Sequence, residues 1–475
     1  MRRLPALIAA ALLTLGLAPA AGAATNCTFD PLTGAVTVTT DTAVTIAPVD
    51  DEIRVGGGQC DTATVTNTDT IEVEVTGMAI PELTVDLSAQ PLGPGLTDEG
   101  ASSEIEMTID GASFDLAIVG SGGSDAISLF KTGLYDTTGL VNLNDAEATR
   151  DGDISFYEHD AIDIEIELGA GDDIYGAAAT DGSAGVPFTV RPVSVIGGDG
   201  SDHMYGIPTH AFDGGGLTVT DPFNDTIDFS WLNDTCYVLF DAKVGETTSI
   251  ACDGGGDLTA HFFETVIGGD GSDWVFAAGW ERSLRGGVGD DHLFPAAGDE
   301  AIQGGSGWDQ VVVDTTSDLR FDLADRTISG DGHDTFSGVE GFFSTGGGDD
   351  RFVGGPAASV DFLSGGTGRD VVNLSSAMRG YDLATQAGLD PSNAMGSPRL
   401  WISDAAVIGS PFADRFVGGA VRDDFTGGGG NDRISGGDLA DHLMGGHGSD
   451  HIAGGPGVDT CSGGPGDDVF RSCER

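Results

Sequence analysis

A nine-residue pattern of glycine, aspartate and apolar residues runs through the C-terminal part of the chain. Counted in nines from Gly409, each unit opens on glycine and has aspartate sixth and a residue of the apolar group eighth. The sixth positions are Asp414, Asp423, Asp432, Asp441, Asp450, Asp459 and Asp468, and the eighth are Phe416, Phe425, Ile434, Leu443, Ile452, Cys461 and Phe470. Such a unit predicts a glycine-rich turn followed by a short strand that points its eighth side chain inward.

A second block keeps the same period from Gly268. Its sixth positions are Asp273, Arg282, Asp291, Glu300 and Asp309, and its eighth positions are Val275, Leu284, Leu293, Ile302 and Val311. Isolated copies carry Asp202, Asp350 and Asp370 at the same phase, and looser ones lie near Asp125 and Asp173. The apolar phase persists where the aspartate does not, so the structural repeat extends further than the complete motif.

Between the blocks, polar and apolar residues alternate as in half-buried strands. We therefore predict an all-β protein, a parallel β-roll or β-helix of glycine-aspartate nonapeptides with a small N-terminal β module. The predicted segments are a signal peptide (1–23), a disulfide-closed β module (24–77), a β-rich region with degenerate repeats (78–196), a first roll block with a β excursion (197–312), β excursions with isolated repeats (313–408) and a C-terminal roll with a cap (409–475).

The charge of the chain restricts its partners. There are 76 acidic and 20 basic residues, for a formal net charge of -56. This balance argues against nucleic acid and anionic membranes and in favour of cations. Strong acidity also suits a disordered chain, but 39% of the residues are hydrophobic and they recur in phase. We expect order with a cation and disorder without one.

The N-terminus predicts export. Arg2 and Arg3 precede an apolar stretch that ends in the small residues Ala21–Ala23, as in a signal peptide. No later run is apolar enough to predict a transmembrane segment, so we expect a secreted, extracellular protein. The six cysteines fit an oxidising compartment, and proximity in sequence suggests the pairs Cys27–Cys60, Cys236–Cys252 and Cys461–Cys473. Six cysteines allow fifteen pairings, and buried free thiols are the alternative.

Two nonapeptides would form one flattened coil, so every second turn stacks at about 4.8 Å, the distance between strands. This predicts Asp432 over Asp450, Asp441 over Asp459, and Asp450 over Asp468. Two like charges about 4 Å apart cost about 4 kcal/mol at an effective dielectric of 20, and a cation between the turns reverses the sign. Calcium accepts six to eight oxygens in irregular geometry, whereas magnesium is stricter and zinc prefers nitrogen and sulfur. The pattern predicts a series of Ca²⁺ sites along the roll.

The unit GGxGxDxUx resembles the RTX, or hemolysin-type, calcium-binding repeat, continuously over Gly409–Arg471 and more weakly over Gly268–Val312. The resemblance implies a parallel β-roll with calcium between its turns and disordered repeats without calcium. It implies that the sixth-position aspartates are ligands. It also implies carbonyl ligands at positions two and four, among them Gly428, Gly430, Gly446, Gly448, Gly455 and Gly457. Position four departs from glycine at Phe412, Val421 and Leu439.

No HExxH or GxSxG motif occurs, so we predict a non-enzymatic calcium-binding protein with a surface, matrix or adhesive role. The sequence does not identify a cell-surface or polysaccharide partner. The alternative is a calcium-dependent lyase or epimerase of carbohydrates on a parallel β-helix, with its catalytic residues in the excursions 208–260 or 377–406. Four histidines directly follow a sixth-position aspartate and are read either as solvated side chains or as a transition-metal face: His203, His292, His442 and His451.

Overall fold

A computed structural model describes most of the chain. The described residues are 25–77, 79–90, 105–131, 138–143, 154–157, 160–176, 186–187, 193–199, 201–205, 210–213, 225–230, 237–241, 248–251, 257–261, 263–277, 283–354, 362–385, 399–403 and 405–474. They form strands and turns, with no helix among them.

The first strands in chain order are β1 (Asn26–Asp30), β2 (Ala35–Thr40), β3 (Val44–Val49), β4 (Glu52–Val55), β5 (Gly58–Thr64), β6 (Thr70–Val75), β7 (Glu82–Asp86), β8 (Glu106–Gly111), β9 (Phe114–Val119), β10 (Ala126–Lys131), β11 (Thr138–Leu143), β12 (Ile154–Tyr157), β13 (Ala161–Ala170), β14 (Ile174–Tyr175), β15 (Val186–Pro187), β16 (Val193–Asp199), β17 (His203–Tyr205), β18 (His210–Asp213), β19 (Thr226–Asp228), β20 (Tyr237–Asp241), β21 (Thr248–Ala251) and β22 (Asp257–His261).

The remaining strands are β23 (Thr265–Ile267), β24 (Trp274–Phe276), β25 (Ser283–Val288), β26 (His292–Phe294), β27 (Ala301–Ser306), β28 (Gln310–Val313), β29 (Arg320–Asp322), β30 (Thr327–Ser329), β31 (His333–Ser337), β32 (Gly341–Ser344), β33 (Arg351–Val353), β34 (Phe362–Ser364), β35 (Val371–Asn373), β36 (Asp382–Ala384), β37 (Arg399–Ser403), β38 (Ala406–Ile408), β39 (Arg415–Val417), β40 (Asp424–Gly429), β41 (Arg433–Ser435), β42 (His442–His447), β43 (His451–Ala453), β44 (Thr460–Ser462) and β45 (Val469–Arg471).

The chain divides into two compact units. The first contains the described residues up to Ala117 together with 154–157 and 160–162. In it, β2, β6, β8 and β12 pair in parallel, as do β3 and β7. An antiparallel β1 covers the edge of β2, and the disulfide Cys27–Cys60 joins β1 to β5. This antiparallel cap protects an edge that could otherwise pair with another chain.

The second unit contains the nonapeptides, and in its regular coils the strands alternate between two parallel sheets. We call the sheet with β25, β40, β42 and β44 the first sheet, and the sheet with β26, β41, β43 and β45 the second sheet. In the first, Asp424 lies opposite His442 and His442 opposite Thr460, while in the second Arg433 lies opposite His451. Partners are eighteen residues apart, so two nonapeptides make one coil, and the predicted all-β parallel roll is confirmed.

The core of this unit is a column of eighth-position side chains between the two sheets. Phe416, Phe425, Ile434, Leu443 and Ile452 are each at most 2% exposed. Phe470 holds the same position in the last coil, where no further coil covers it, and is 47% exposed. Because the column is one side chain wide, apolar burial per coil is small, and the turns must contribute to stability.

Insertions lengthen individual coils without ending the roll. Val311 lies opposite Phe342 and Ile302 opposite Phe336, although these partners are much further apart in sequence than two nonapeptides. The extra residues form antiparallel strands such as β29–β30–β31 and β20–β21–β22. The excursions therefore contain strands, as predicted, and the parallel register resumes after each of them.

A disulfide closes the last coil. The structure joins Cys461, at an eighth position, to Cys473 with a Cα–Cα distance of 5.8 Å. The other predicted pair, Cys236 and Cys252, lies outside the described residues, as does the predicted signal peptide. The segment boundaries proposed from the sequence stay predictions.

The fourth position of the turn adopts a left-handed backbone in several units. Gly448 has a φ of 140°, and the non-glycine Leu439 has a φ of 75°. Val421 also replaces glycine at position four, but its φ is not in the positive range. A side chain in the left-handed region costs roughly 1–2 kcal/mol.

We predict that Leu439→Gly raises the free energy of unfolding by about 1 kcal/mol, since it relieves this strain at a side chain that is 57% exposed. Val421→Gly is the matched control: it should be destabilising by about 0.5–1 kcal/mol, because glycine there only adds backbone entropy to the unfolded state. Thermal or urea unfolding in excess calcium measures both variants. Equal effects from the two substitutions would contradict the prediction.

Candidate metal-binding ladders

The sixth-position aspartates lie where each turn meets its strand, and they are buried. Exposure is 4% or less for Asp202, Asp273, Asp291, Asp309, Asp350, Asp370, Asp414, Asp423, Asp432, Asp441, Asp450 and Asp459. Asp468, in the last coil, is only partly buried. These carboxylates are therefore not solvated turn residues, and their charges need partners within the protein or from a bound ion.

In most of these turns, one carboxylate oxygen of the aspartate accepts a hydrogen bond from the backbone of the preceding coil. The backbone N–H of Asp432 donates to Asp450 Oδ1 at 2.8 Å, and that of Asp450 to Asp468 Oδ1 at 3.0 Å. On the other edge, Asp441 donates to Asp459 Oδ1 at 3.0 Å. The three predicted stacks are present, and each edge of the roll carries one such row, which we call a carboxylate ladder.

In one group of turns, which we call the regular turns, the second carboxylate oxygen of the aspartate accepts no hydrogen bond from any described residue. Among the described residues, no group donates a hydrogen bond to the buried Oδ2 atoms of Asp173, Asp291, Asp309, Asp350, Asp432, Asp441, Asp450 and Asp459. A buried carboxylate oxygen without a donor is costly. These buried oxygens without donors, which line the edges of the roll, indicate a site for a cation.

In other turns, the second carboxylate oxygen of the aspartate accepts a hydrogen bond from the backbone of the same turn. The N–H at position two donates to Oδ2 in the turns of Asp273 at 2.6 Å, Asp414 at 2.7 Å and Asp423 at 3.2 Å. Asp414 and Asp423 belong to the turns that have Phe412 and Val421 at position four. The Leu439 turn instead keeps the regular form, so the non-glycine residues at position four do not have one common effect.

Glycine at position one leaves space beside the free oxygen. A Cβ on Gly445 would collide with Asp450 Oδ2 and with the carbonyl oxygen of Gly463 in the next coil. The same two groups, an own-turn Oδ2 and a next-coil carbonyl, crowd Gly427 and Gly436. Carboxylate and backbone oxygens therefore converge over a position that only glycine fits.

The carbonyls predicted as ligands at positions two and four are also stacked. Gly428 O lies against Gly446 in the next coil, and Gly430 O against Gly448. On the other edge, Gly455 lies against the carbonyl of Gly437, and Gly457 against that of Leu439. All the donor atoms gathered at these turns are oxygens, which is the donor set that Ca²⁺ prefers.

Within the part of the chain that the structure describes, no three His, Cys, Asp or Glu side chains gather as a metal cluster. Any cation at the ladders would then take no more than two carboxylates, with backbone carbonyls and water completing its shell. Such a shell suits calcium, which tolerates irregular oxygen coordination, and does not suit zinc, which prefers imidazole and thiolate.

Burial disfavours charge on the ladders when no cation is present. It raises the pKa of Asp432 to about 7, and the stacked charges of Asp414 and Asp450 add to the rise, while a backbone hydrogen bond opposes it. Burial likewise raises the pKa of Asp291 to about 8 and that of Asp173 to about 7. At these three aspartates a bound cation would therefore compete with a proton.

Several glutamates extend the ladders, and sequence analysis missed this role. The N–H of Asp459 donates to Glu474 Oε2 at 2.9 Å, that of Asp309 to Glu340 Oε2 at 3.0 Å, and that of Asp225 to Glu264 Oε2 at 3.0 Å. Glu264 and Glu340 each directly precede a strand, as the aspartates do, but no GGxGxD turn leads to them. An acidic residue immediately before a short apolar strand was the only available signal.

The ladders also have members without a carboxylate. Tyr381 and Leu319 hold the position directly before a strand, and their N–H groups donate to Asp414 Oδ1 at 2.6 Å and to Asp350 Oδ1 at 2.8 Å. Asp225, which accepts from the N–H of Asp202 at 2.9 Å, is a further ladder carboxylate that the motif search missed. Backbone geometry, not the motif, thus defines the ladder.

The histidines that follow the aspartates have separate partners. His203 Nε2 lies 2.9 Å from Asp228, His442 Nδ1 lies 3.1 Å from Asp424, and His292 stacks on Trp274 at a centroid distance of 4.4 Å. They do not converge on a common point in the described residues, which favours the solvated, non-metal reading.

Two parallel sheets joined by turns that stack buried carboxylates and carbonyls define a cation-binding β-roll. The model of the RTX calcium-binding nonapeptide repeat matches residues 408–443 and 435–470. This segment of the chain is therefore made of RTX calcium-binding repeats. No curated protein matches the chain. In the described residues, no helix has the length and apolarity needed to span a membrane.

The raised pKa values predict how pH affects the calcium-free protein. Asp432 and Asp173 have folded-state pKa values of about 7, above the unfolded value of about 3.9, so the folded state holds more protons between about pH 4 and pH 7. The resulting stability is fully present below about pH 4 and is lost as the pH rises through about 7. In chelator, where the roll is otherwise largely unfolded, the folded fraction measured by far-UV circular dichroism should therefore be larger at pH 5 than at pH 8.

Asp432→Asn should reduce this pH dependence, since it removes a buried titrating group. Asp438→Asn removes an exposed charge from the same roll and should change the dependence much less. A folded fraction in chelator that increases from pH 5 to pH 8 would contradict the prediction.

The space at position one predicts a large effect of a single methyl group. Gly445→Ala should lower the free energy of unfolding in calcium by about 2 kcal/mol or more, because its Cβ takes the place of two oxygens. Gly429→Ala is the control, since its Cβ would meet nothing closer than 3.4 Å and should change stability by no more than about 0.5 kcal/mol. Chemical unfolding of both variants measures the difference, and similar losses would count against the convergence of oxygens at Gly445.

Proposed function

We propose that this chain is a secreted, non-enzymatic calcium-binding protein whose roll folds on binding Ca²⁺ and serves a structural, surface or adhesive role. The observation that carries the proposal is the row of buried Oδ2 atoms that accept no hydrogen bond from any described residue. The RTX match over residues 408–470 supports calcium as the ion. Export is supported by the N-terminal sequence and by the two disulfides.

The residues that would hold calcium are those of the regular turns. In the C-terminal block they are Asp432, Asp441, Asp450 and Asp459 with the stacked glycine carbonyls around them, and in the first block Asp291 and Asp309. Calcium supplies positive charge between carboxylates that otherwise repel. Asp414, Asp423 and Asp273 are weaker candidates, because the N–H at position two already occupies their second oxygen.

Calcium binding and folding are then one equilibrium. Calcium binds the folded roll and not the unfolded chain, so each site stabilises the fold by RT ln(1 + [L]/Kd). Extracellular calcium modules typically have Kd values of about 10⁻⁴–10⁻³ M. The roll would stay unfolded at cytosolic calcium and fold after export.

A structural role is supported by the carboxylates of the turns, which the ladders already use. Their carboxylates are buried and bonded to neighbouring coils, unlike a catalytic pair that faces a substrate cleft. Glu474 extends the ladder beyond the last nonapeptide by accepting the N–H of Asp459. The segment after the repeats is therefore also bonded to the ladder.

The test is a calcium titration of the mature protein, starting in chelator and followed by far-UV circular dichroism. We expect a transition from coil to β-structure with calcium, with a midpoint in the range of about 10⁻⁴–10⁻³ M. Magnesium at the same concentrations is the control and should produce little change, because it requires a stricter octahedral shell. A spectrum that is β-rich in chelator and unaffected by calcium would refute the proposal.

A further inference from the structure

A row of basic side chains crosses the outer face of the second sheet in the C-terminal coils. Arg415 lies opposite Arg433, and Arg433 opposite His451. Arg471 continues the row on the last strand, shifted by two positions, opposite Ala453. In a chain with 20 basic and 76 acidic residues, three arginines on one face of four adjacent strands are a local reversal of charge. We call these four residues the cationic row.

No acidic residue interrupts the outward positions of the four strands. These positions alternate with the buried eighth-position residues and are Arg415, Val417, Arg433, Ser435, His451, Ala453, Val469 and Arg471. On the first sheet of the same coils, His442 is instead paired with Asp424 on the neighbouring strand at 3.1 Å. The excess of positive charge is therefore confined to one face.

Like charges directly opposite each other destabilise a sheet, and the strands bring them to about 4.8 Å. At one end of the row the buried Asp382 lies in register with Arg415. Nonetheless Arg415 Nη1 is buried and donates no hydrogen bond to any described residue. An anion facing the row would offset the repulsion between these adjacent charges.

A groove of about 290 Å³ follows this face and is lined by Arg415, Arg433, His451 and Arg471. We propose that the groove binds an extended anionic polysaccharide, with carboxylate or sulfate groups facing the cationic row. Arginine suits this ligand because its planar fork donates two parallel hydrogen bonds to a carboxylate or sulfate. A row that repeats at each strand favours a polymer with regularly spaced charges over a single small ion.

The same observations argue against other anionic partners. Binding of single-stranded nucleic acid uses aromatic side chains for stacking, and none of the outward residues of strands β39, β41 and β43 is Phe, Tyr or Trp. Duplex DNA also carries one charge per roughly 1.7 Å, which a chain of net charge -56 repels strongly. A second copy of the chain carries that same net charge. In an acidic polysaccharide, the sugar rings hold the charges further apart than in duplex DNA. Salt also screens the polymer from carboxylates of the protein that lie beyond about 8 Å.

The groove exists only in the folded roll, so this inference rests on the proposed calcium-dependent fold. The experiment titrates the full mature protein, in calcium, into fluorescently labelled short oligogalacturonate and follows anisotropy. We expect binding that weakens as salt is added. Arg433→Gln should weaken it about tenfold, the value of one charged contact. Arg422→Gln is the matched control, because Arg422 is also exposed in the same repeats but lies at a turn beside Asp423, and it should leave binding within about twofold.

Circular dichroism of the same samples reports whether the roll is folded, so failure of the fold and failure of binding are read separately. Sulfated dextran oligomers in parallel identify which anionic group is preferred, and binding of either polymer supports the proposal. It is overturned if both arginine variants lose affinity equally, if uncharged dextran binds as well, or if single-stranded DNA binds more tightly than the acidic sugars.

Discussion

The structure depends on the stacking of buried carboxylates at the distance between strands. In the regular turns, a ladder aspartate uses one oxygen to accept a backbone N–H from the preceding coil, as Asp450 does from Asp432 at 2.8 Å. That bond fixes the register of the turn but also brings like charges together. The other oxygen of Asp450 stays buried without a donor among the described residues. One side chain thus both orders the coil and creates the charge that opposes it, and this links folding to a cation.

The narrow core makes this link necessary. A column of single side chains such as Leu443 and Ile452 buries little apolar surface per coil. Glycine at the turns lets oxygens converge, as at Gly445, but it adds entropy to the unfolded state. For a domain whose net stability is a small difference between large terms, the proposed ion binding at the edges would be large enough to decide whether the roll folds.

Charge is separated between the surfaces of the roll. The edges concentrate carboxylates, whereas the outer face of the second sheet carries the cationic row that begins at Arg415. Because strand spacing repeats every side chain in register, any residue kept at one phase of the nonapeptide becomes a line of like groups. The same geometry therefore converts aspartates into a candidate site for cations and arginines into a candidate site for anions.

The sequence alone determined the nine-residue period, the inward eighth residue and the stack of Asp432 on Asp450, because these follow from local alternation and a fixed coil length. Only the tertiary structure decided which residues meet across insertions. Glu340 joins the ladder of Asp309 after a long excursion, and no motif marks it. The tertiary structure also decided that Asp414 Oδ2 accepts a hydrogen bond from its own turn whereas Asp432 Oδ2 does not, because this bond depends on the backbone conformation at position two. Local pattern sets the repeat, but register across coils of unequal length is a property of the assembled sheets.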